Sequence, residues 1–203
     1  MKIIRNIFRA AKNYYFKNKY PQLRRSFAVT SHLTIQERVQ LMLLSEHAKC
    51  IAEIGSYIGS STCCFGAAVT KSGAGIIICI DTWNNDAMSE GIRDTWKEFQ
   101  DNTRAYKGFI VPVRGFSTDV VQSVREVTPT LEVLFIDGDH SYDGVKADWE
   151  AYKSFLHEDS TVIFHDYGWA EGVKKVVHED VMLLVSSYGQ LPNMWWGKIG
   201  KVA

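Results

Sequence analysis

Two short clusters in the chain combine residue types that can move a proton or hold a cation: Asp137-Gly138-Asp139-His140 and His165-Asp166. Each follows directly on an apolar run, Leu131 to Ile136 and Thr161 to Phe164. Carboxylates and imidazoles gathered at strand ends are poor core material, because burial strips their hydration unless they are paired. They suit proton abstraction, for which a histidine with an unperturbed pKa near ~6.5 is the natural base. Two carboxylates that converge on one point also need a cation or a proton between them.

Two further acids stand beside turns. Glu53 opens the stretch Glu53-Ile54-Gly55-Ser56-Tyr57-Ile58-Gly59-Ser60-Ser61-Thr62, which reads as a strand end, a glycine turn and a capped helix start. The free N–H groups of that helix can receive a carboxylate or a phosphate. A dinucleotide fingerprint needs G-x-G-x-x-G, and here one glycine of the close pair is missing. An acid beside the turn suits an ammonium group. Asp81, which ends the run Gly75 to Ile80, suits ribose hydroxyls. Amino acid plus ribose in one ligand points to S-adenosylmethionine.

On these residues the chain resembles the class I S-adenosylmethionine-dependent methyltransferases over roughly Ile51 to Gly197. It is most similar to a small O-methyltransferase-like branch whose fourth strand ends in I-D-G-D-H-S-Y, here Ile136 to Tyr142. The resemblance implies an α/β, Rossmann-like, mostly parallel seven-stranded sheet with helices on both faces and an antiparallel edge strand, for which the last apolar run is the candidate. It implies cofactor contacts at Glu53, Gly55, Ser56, Tyr57, Ser60, Ser61, Asp81, Thr82, Trp83, Ser117 and Asp137, and catalytic roles for Asp137, His140 and His165. Relatives acting on sugar or antibiotic hydroxyls use a divalent ion, held by the acid ending strand four and by an acid pair ending strand five. That pattern maps onto Asp137, His165 and Asp166 with Mg²⁺ or another divalent cation. One carboxylate of the pair is here an imidazole, so metal assistance and a histidine base both stay open. The implied reaction is methylation of a hydroxyl on a small molecule or a sugar. A non-catalytic S-adenosylmethionine-binding protein and a nicotinamide-dependent oxidoreductase are the competing classes; the first has no need of the acidic cluster and the second lacks its glycine.

The elements that must carry these residues follow from periodicity. Strand and helix alternate, which calls for parallel strands with right-handed crossovers. Thr34 with Glu37 forms a capping box ahead of a helix that leads into the first strand, so Ser31, His32 and Thr34 are expected near the mouth of the site. Trp83 sits in the polar loop Thr82 to Asp86 and is expected over the adenine. Ile92, Trp96, Phe99 and Tyr106 share a helical face, and Phe109 to Val113 reads as a third strand. Ser117 caps the helix that carries Val120, Val121, Val124 and Val127, and Asp139 is a candidate cap for the helix with Val145, Trp149 and Tyr152. Gly172 to Glu179 is a helix, and Val181–Val185 with Met194–Ile199 form a hairpin joined by Gly189 to Asn193. Tyr142, Tyr167, Trp169, Trp195 and Trp196 could make an aromatic wall for the acceptor.

With 203 residues, 46% of them hydrophobic, the chain fits one α/β domain, expected over residues 31–203. Residues 1–30 read as a basic amphipathic extension, with Ile4, Ile7, Phe8, Ala11, Tyr14 and Tyr15 at helical spacing. The first 36 residues hold eight Lys or Arg and no acid, so the extension carries about +8 and the rest about −8. Overall neutrality argues against a nucleic-acid-coating protein. The arm suits a membrane surface or a second subunit, as in a homodimer. Cys50, Cys63, Cys64 and Cys79 fit reduced core residues rather than a disulfide framework, and no apolar run reaches the roughly 20 residues of a membrane span. A cytoplasmic enzyme is the expectation.

Overall fold

The computed structural model describes residues 2–84 and 91–201, with side chains from residue 10 onward. Asn85 and Asp86 of the expected adenine loop, and the side chains of Ile4, Ile7 and Phe8, lie outside that range. The elements are α1 (Lys2–Lys19), α2 (Arg24–Ala28), α3 (Ile35–Leu44), β1 (Cys50–Ile54), α4 (Ser60–Ser72), β2 (Ile76–Asp81), α5 (Trp96–Thr103) and β3 (Ile110–Arg114). They continue with α6 (Val121–Val127), β4 (Leu131–Ile136), α7 (Tyr142–Tyr152), β5 (Leu156–His165), α8 (Glu171–Val176), β6 (Val185–Leu191) and β7 (Met194–Ile199).

The seven strands pair in the order β3-β2-β1-β4-β5-β7-β6, parallel from β3 to β5. β7 is antiparallel to β5, and β6 is antiparallel to β7. The last run is therefore antiparallel as expected but does not form the edge. Burial gives the reason: Met194, Trp195 and Ile199 of β7 are buried, whereas Ser186, Ser187 and Tyr188 of β6 are exposed. The apolar strand takes the inner place and the polar one the rim. The hairpin also starts later than its sequence suggests, because Val181 to Leu184 stays in helical turns that bury Val181. Gly189 to Leu191 belongs to β6, so the turn shrinks to Pro192-Asn193.

Alternation along β1 sends Ala52 and Ile54 into the layer shared with α6, α7 and α8, and Ile51 into the layer shared with α3 and α4. Strand order reverses between β1 and β4, and ligands of open α/β sheets bind in the crevice beyond the carboxyl ends at such a point.

Several local expectations shift. Ile92 is 87% exposed and precedes α5, so the packed face begins at Trp96. Trp83 is fully buried, its ring centroid 4.6 Å from Trp96 and 4.9 Å from Phe99, which takes it away from any ligand. α6 begins at Val121 with no side-chain cap bond, and Ser117 bonds elsewhere. Ser141 rather than Asp139 caps α7: its hydroxyl accepts the Gly144 N–H at 3.1 Å, and Asp139 accepts the Ser141 N–H at 2.7 Å. The capping box of Thr34 and Glu37 forms as read. Packing also begins before residue 31, since Leu23 and Ser26 are buried and the Arg38 guanidinium donates to the carbonyls of Ser26, Val29 and Leu33.

Candidate active site

A cavity of about 1100 Å³ opens over the carboxyl ends of β1, β2 and β4. Gly55 makes it possible. Its φ is +87°, and a Cβ there would lie 2.1 Å from the Asp137 carbonyl oxygen. Its N–H donates to Ile80 at 2.9 Å while the Asp137 N–H donates to Ile54 at 2.9 Å, so three strand ends are stitched across a gap only glycine fits. Gly59, also at φ +87°, caps α4 through its backbone.

Asp81 lines the cavity and gathers two backbone donors, Tyr57 N–H at 2.7 Å and Trp83 N–H at 2.6 Å. Both donor residues are in the left-handed region, at φ 45° and 53°, a conformation non-glycine residues hold only when their surroundings impose it. The carboxylate is thus fixed in place by two strained turns. Ser56, Tyr57, Ser60, Ser61, Thr82 and Ser117 also line the cavity. The buried Ser60 hydroxyl, in the first turn of α4, has no hydrogen-bond partner among the described residues.

The far end is ionic. His165, at the end of β5, is buried with Nδ1 2.9 Å from Asp137 Oδ1 and 3.3 Å from Asp166 Oδ2, and Nε2 3.9 Å from Glu37 Oε2. Burial alone would depress its pKa, but the charge and hydrogen bond of Asp137, with Asp166 and Glu37, push it up to about 12. His140 Nε2 pairs with Asp166 Oδ2 at 2.7 Å, and that bond raises the His140 pKa against a smaller burial penalty. Burial would raise the Asp166 carboxyl, yet His140, His165 and Asn193 hold it well below the usual carboxylate range. Asp166, itself at φ 56°, also accepts Trp169 Nε1–H at 2.7 Å and Asn193 Nδ2–H at 2.8 Å.

The family model described as a methyltransferase domain matches residues 52–167, the whole span from β1 through the β5 cluster. The chain belongs to that methyltransferase family. A stretch of 118 residues is 29% identical to the uncharacterised protein y4gI of Sinorhizobium fredii, and it spans 57% of this chain but only 13% of that protein. Solved structures of similar fold include the O-methyltransferase NovP, with a TM-score of 0.72 and 14% identity over 85% of this chain and 84% of that one. An O-methyltransferase from Bacillus cereus, in complex with SAH, gives 0.70 and 14% over 94% and 97%. CalS11, a TDP-rhamnose 3'-O-methyltransferase, gives 0.63 and 17% over 83% and 82%.

The site residues expected from the sequence divide. Glu53 does not reach the cavity: alternation turns it toward α4, where it is fully buried, and its Oε2 accepts the Ser56 hydroxyl at 2.9 Å and that of Thr62 at 2.6 Å. Burial pushes its pKa up to about 7 against the hydroxyls of Ser61, Thr62 and Ser56. Trp83 stays in the core. Three carboxylates around His165 raise its pKa and favour its charged form, which does not suit a base. Nor is it among the converging ligand atoms, which belong to Asp137, His140 and Asp166 and lie within 4.8 Å of one another. Two carboxylates and an imidazole suit a divalent ion. Of the expected aromatic wall only Trp169 lines the cavity; Trp195 is core, Trp196 is half-buried against the α3/α4 layer, and Tyr142 and Tyr167 bond to Glu179 and His178. Ser31 and His32 line the mouth, and Thr34 only caps.

Sequence reasoning missed Glu37 and Asn193 as partners of the β5 cluster, since nothing local ties them to residues so distant along the chain. It also missed Asp148, 4% exposed, whose carboxylate accepts the Ser117 hydroxyl. A signal existed there: position 148 falls on the same helical face as Val145, Trp149 and Tyr152.

Proposed function

We propose that this methyltransferase binds S-adenosylmethionine in the cavity and methylates a hydroxyl of a small-molecule acceptor, with His140 as the base. The observation that carries this reading is the His140–Asp166 pair at 2.7 Å, lining the same cavity as Asp81 and the first turn of α4. The residues fit the cofactor. Asp81 would take the ribose hydroxyls, and the unpartnered Ser60 hydroxyl with the N–H groups of α4 would take the methionine carboxylate. Asp137 lines the neighbouring wall and would face the ammonium. When bound, the cofactor supplies a methyl group activated by its sulfonium.

The chain's own part is orientation and proton transfer. His140 removes the acceptor's hydroxyl proton as the oxygen gains the methyl, and Asp166 stabilises the imidazolium that results. Asn193, Trp169 and the charged His165 hold Asp166 in place. A sugar hydroxyl is the favoured acceptor, supported by the polar lining of this end and by the likeness to the TDP-rhamnose methyltransferase. Calorimetry with S-adenosylhomocysteine and a methylation screen over nucleotide sugars and phenols test the reading; absence of binding would sink it.

The three converging ligand atoms favour a second reading, in which Asp137, His140 and Asp166 hold Mg²⁺ or another divalent ion that lowers the acceptor's pKa. The two readings part on one result. Chelator abolishes turnover only if the ion is required, and direct calorimetric titration of the ion then reports the site without turnover.

A further inference from the structure

The basic arm has no place in the chemistry just described. α1 meets the domain through Phe16, and through Tyr20 just beyond its end, both half-buried against the α3/α4 layer. Tyr14 and Tyr15, by contrast, are 72% and 55% exposed. At about 3.6 residues per turn, Tyr14 stands on the side of the helix opposite Phe16. The same spacing places Ile4, Ile7, Phe8 and Ala11 on the face that carries Tyr14 and Tyr15. An apolar row thus runs along α1 on the face opposite the packed one.

Cations border that row. Helical spacing sets Lys12 and Lys19 on one border and Lys17 on the other, and all three are exposed. No carboxylate pairs with them among the described residues. Lys2, Arg5, Arg9, Arg24 and Arg25 bring the count to eight, with no acid before Glu37.

This pattern narrows the partner. A nucleic acid would take the cations but leave the apolar row in water, and the rest of the chain, at about −8, would repel it. A flat anionic boundary is reached by both borders at once, with the row between them entering the less polar layer. Tyrosine suits that depth, since its ring is apolar and its hydroxyl stays wet. No helix among the described residues is long and apolar enough to cross a membrane, so the fit is to a surface and not to a span.

We propose that α1 docks this protein on an anionic lipid surface, with the Tyr14/Tyr15 face at the headgroup boundary and the flanking lysines against lipid phosphates. The proposal stands apart from the cofactor reading. The docked helix adjoins the mouth of the active site: Lys12 and Asn13 share a small surface cavity with Leu33, and Leu33 lines the mouth with Ser31 and His32.

The test is sedimentation of the full chain with vesicles of phosphatidylcholine alone and of phosphatidylcholine and phosphatidylglycerol in equal parts. At about 0.1 M salt the anionic vesicles should bind at least about tenfold more strongly, and about 1 M salt should remove most of that difference. Replacing Lys12→Gln and Lys17→Gln together should weaken binding to the anionic vesicles by about tenfold or more. Tyr14→Ala with Tyr15→Ala keeps the charge and the helix, and should also weaken it by about tenfold, because the apolar contribution is lost. Both pairs replace exposed side chains, and circular dichroism checks that each variant folds. No binding, equal binding to both kinds of vesicle, or full binding by the tyrosine variant overturns the proposal. So does a dimer seen by light scattering that the tyrosine variant loses while the wild type ignores vesicles, which would assign the face to a second copy of the chain.

Discussion

The two ends of the cavity handle negative charge in opposite ways. At the β1/β2 end, Asp81 accepts the Tyr57 and Trp83 backbone N–H groups, and behind the cavity wall Glu53 accepts the Ser56 and Thr62 hydroxyls. At the β4/β5 end, Asp137 and Asp166 face two imidazoles, one buried among carboxylates and one opening on the cavity. Neutral donors fix a shape and leave the charge available to a ligand, whereas imidazoles neutralise charge and exchange protons. On the function proposed above, the first end holds the cofactor and the second reacts.

The largest expected break in this contrast is His165→Gln. It leaves Glu37, Asp137 and Asp166 without their shared cation, and losing one partner of a buried ionic set costs about 3–5 kcal/mol. Chemical denaturation measures this. The sign follows from linkage: a pKa raised to about 12 in the folded state contributes fully below the unfolded value near ~6.5 and fades as pH rises toward 12. The gap between wild type and variant should therefore narrow from about pH 6.5 to pH 10.

Next in size is His140→Ala, expected to lower kcat by about a hundredfold or more while S-adenosylhomocysteine affinity holds. The raised His140 pKa means that wild-type activity climbs with pH through a value above 6.5, and the variant should lack that limb. A limb centred below 6.5, or one retained by the variant, removes His140 as the base.

Asp81→Ala acts on the other end alone. With its ribose partner gone, cofactor affinity should drop by about 1–3 kcal/mol. Unchanged affinity by calorimetry would take Asp81 out of the cofactor site.

The smallest effect sharpens the comparison from outside. Deleting residues 1–19 removes α1, whose Tyr14 and Tyr15 are 72% and 55% exposed, and none of the described side chains in that stretch lines the cavity. Cofactor affinity should stay within about twofold, while light scattering or vesicle sedimentation reports whether the arm serves a second subunit or a membrane surface. A tenfold loss of affinity would show that the arm closes the site.

The sequence alone determined the order of the elements and where the central strands end. Val133 to Ile136 is apolar on both faces, as a central parallel strand must be, and the acids follow where that run stops. The glycine turn, the α3 capping box and Asp81 were legible for the same reason: each is a local pattern whose cost or benefit is set within a few residues. Tertiary structure alone decided which acids face the cavity. Glu53 is in register with Cys79 and so shares a face with Asp81, but it lies deeper along the sheet, where α4 buries it, while Asp81 reaches the wall. Tertiary structure also raised the His165 pKa, because Glu37 arrives from α3 and Asp137 from the end of β4. A proton affinity depends on charges within a few ångströms, and those neighbours come from segments far apart in the chain.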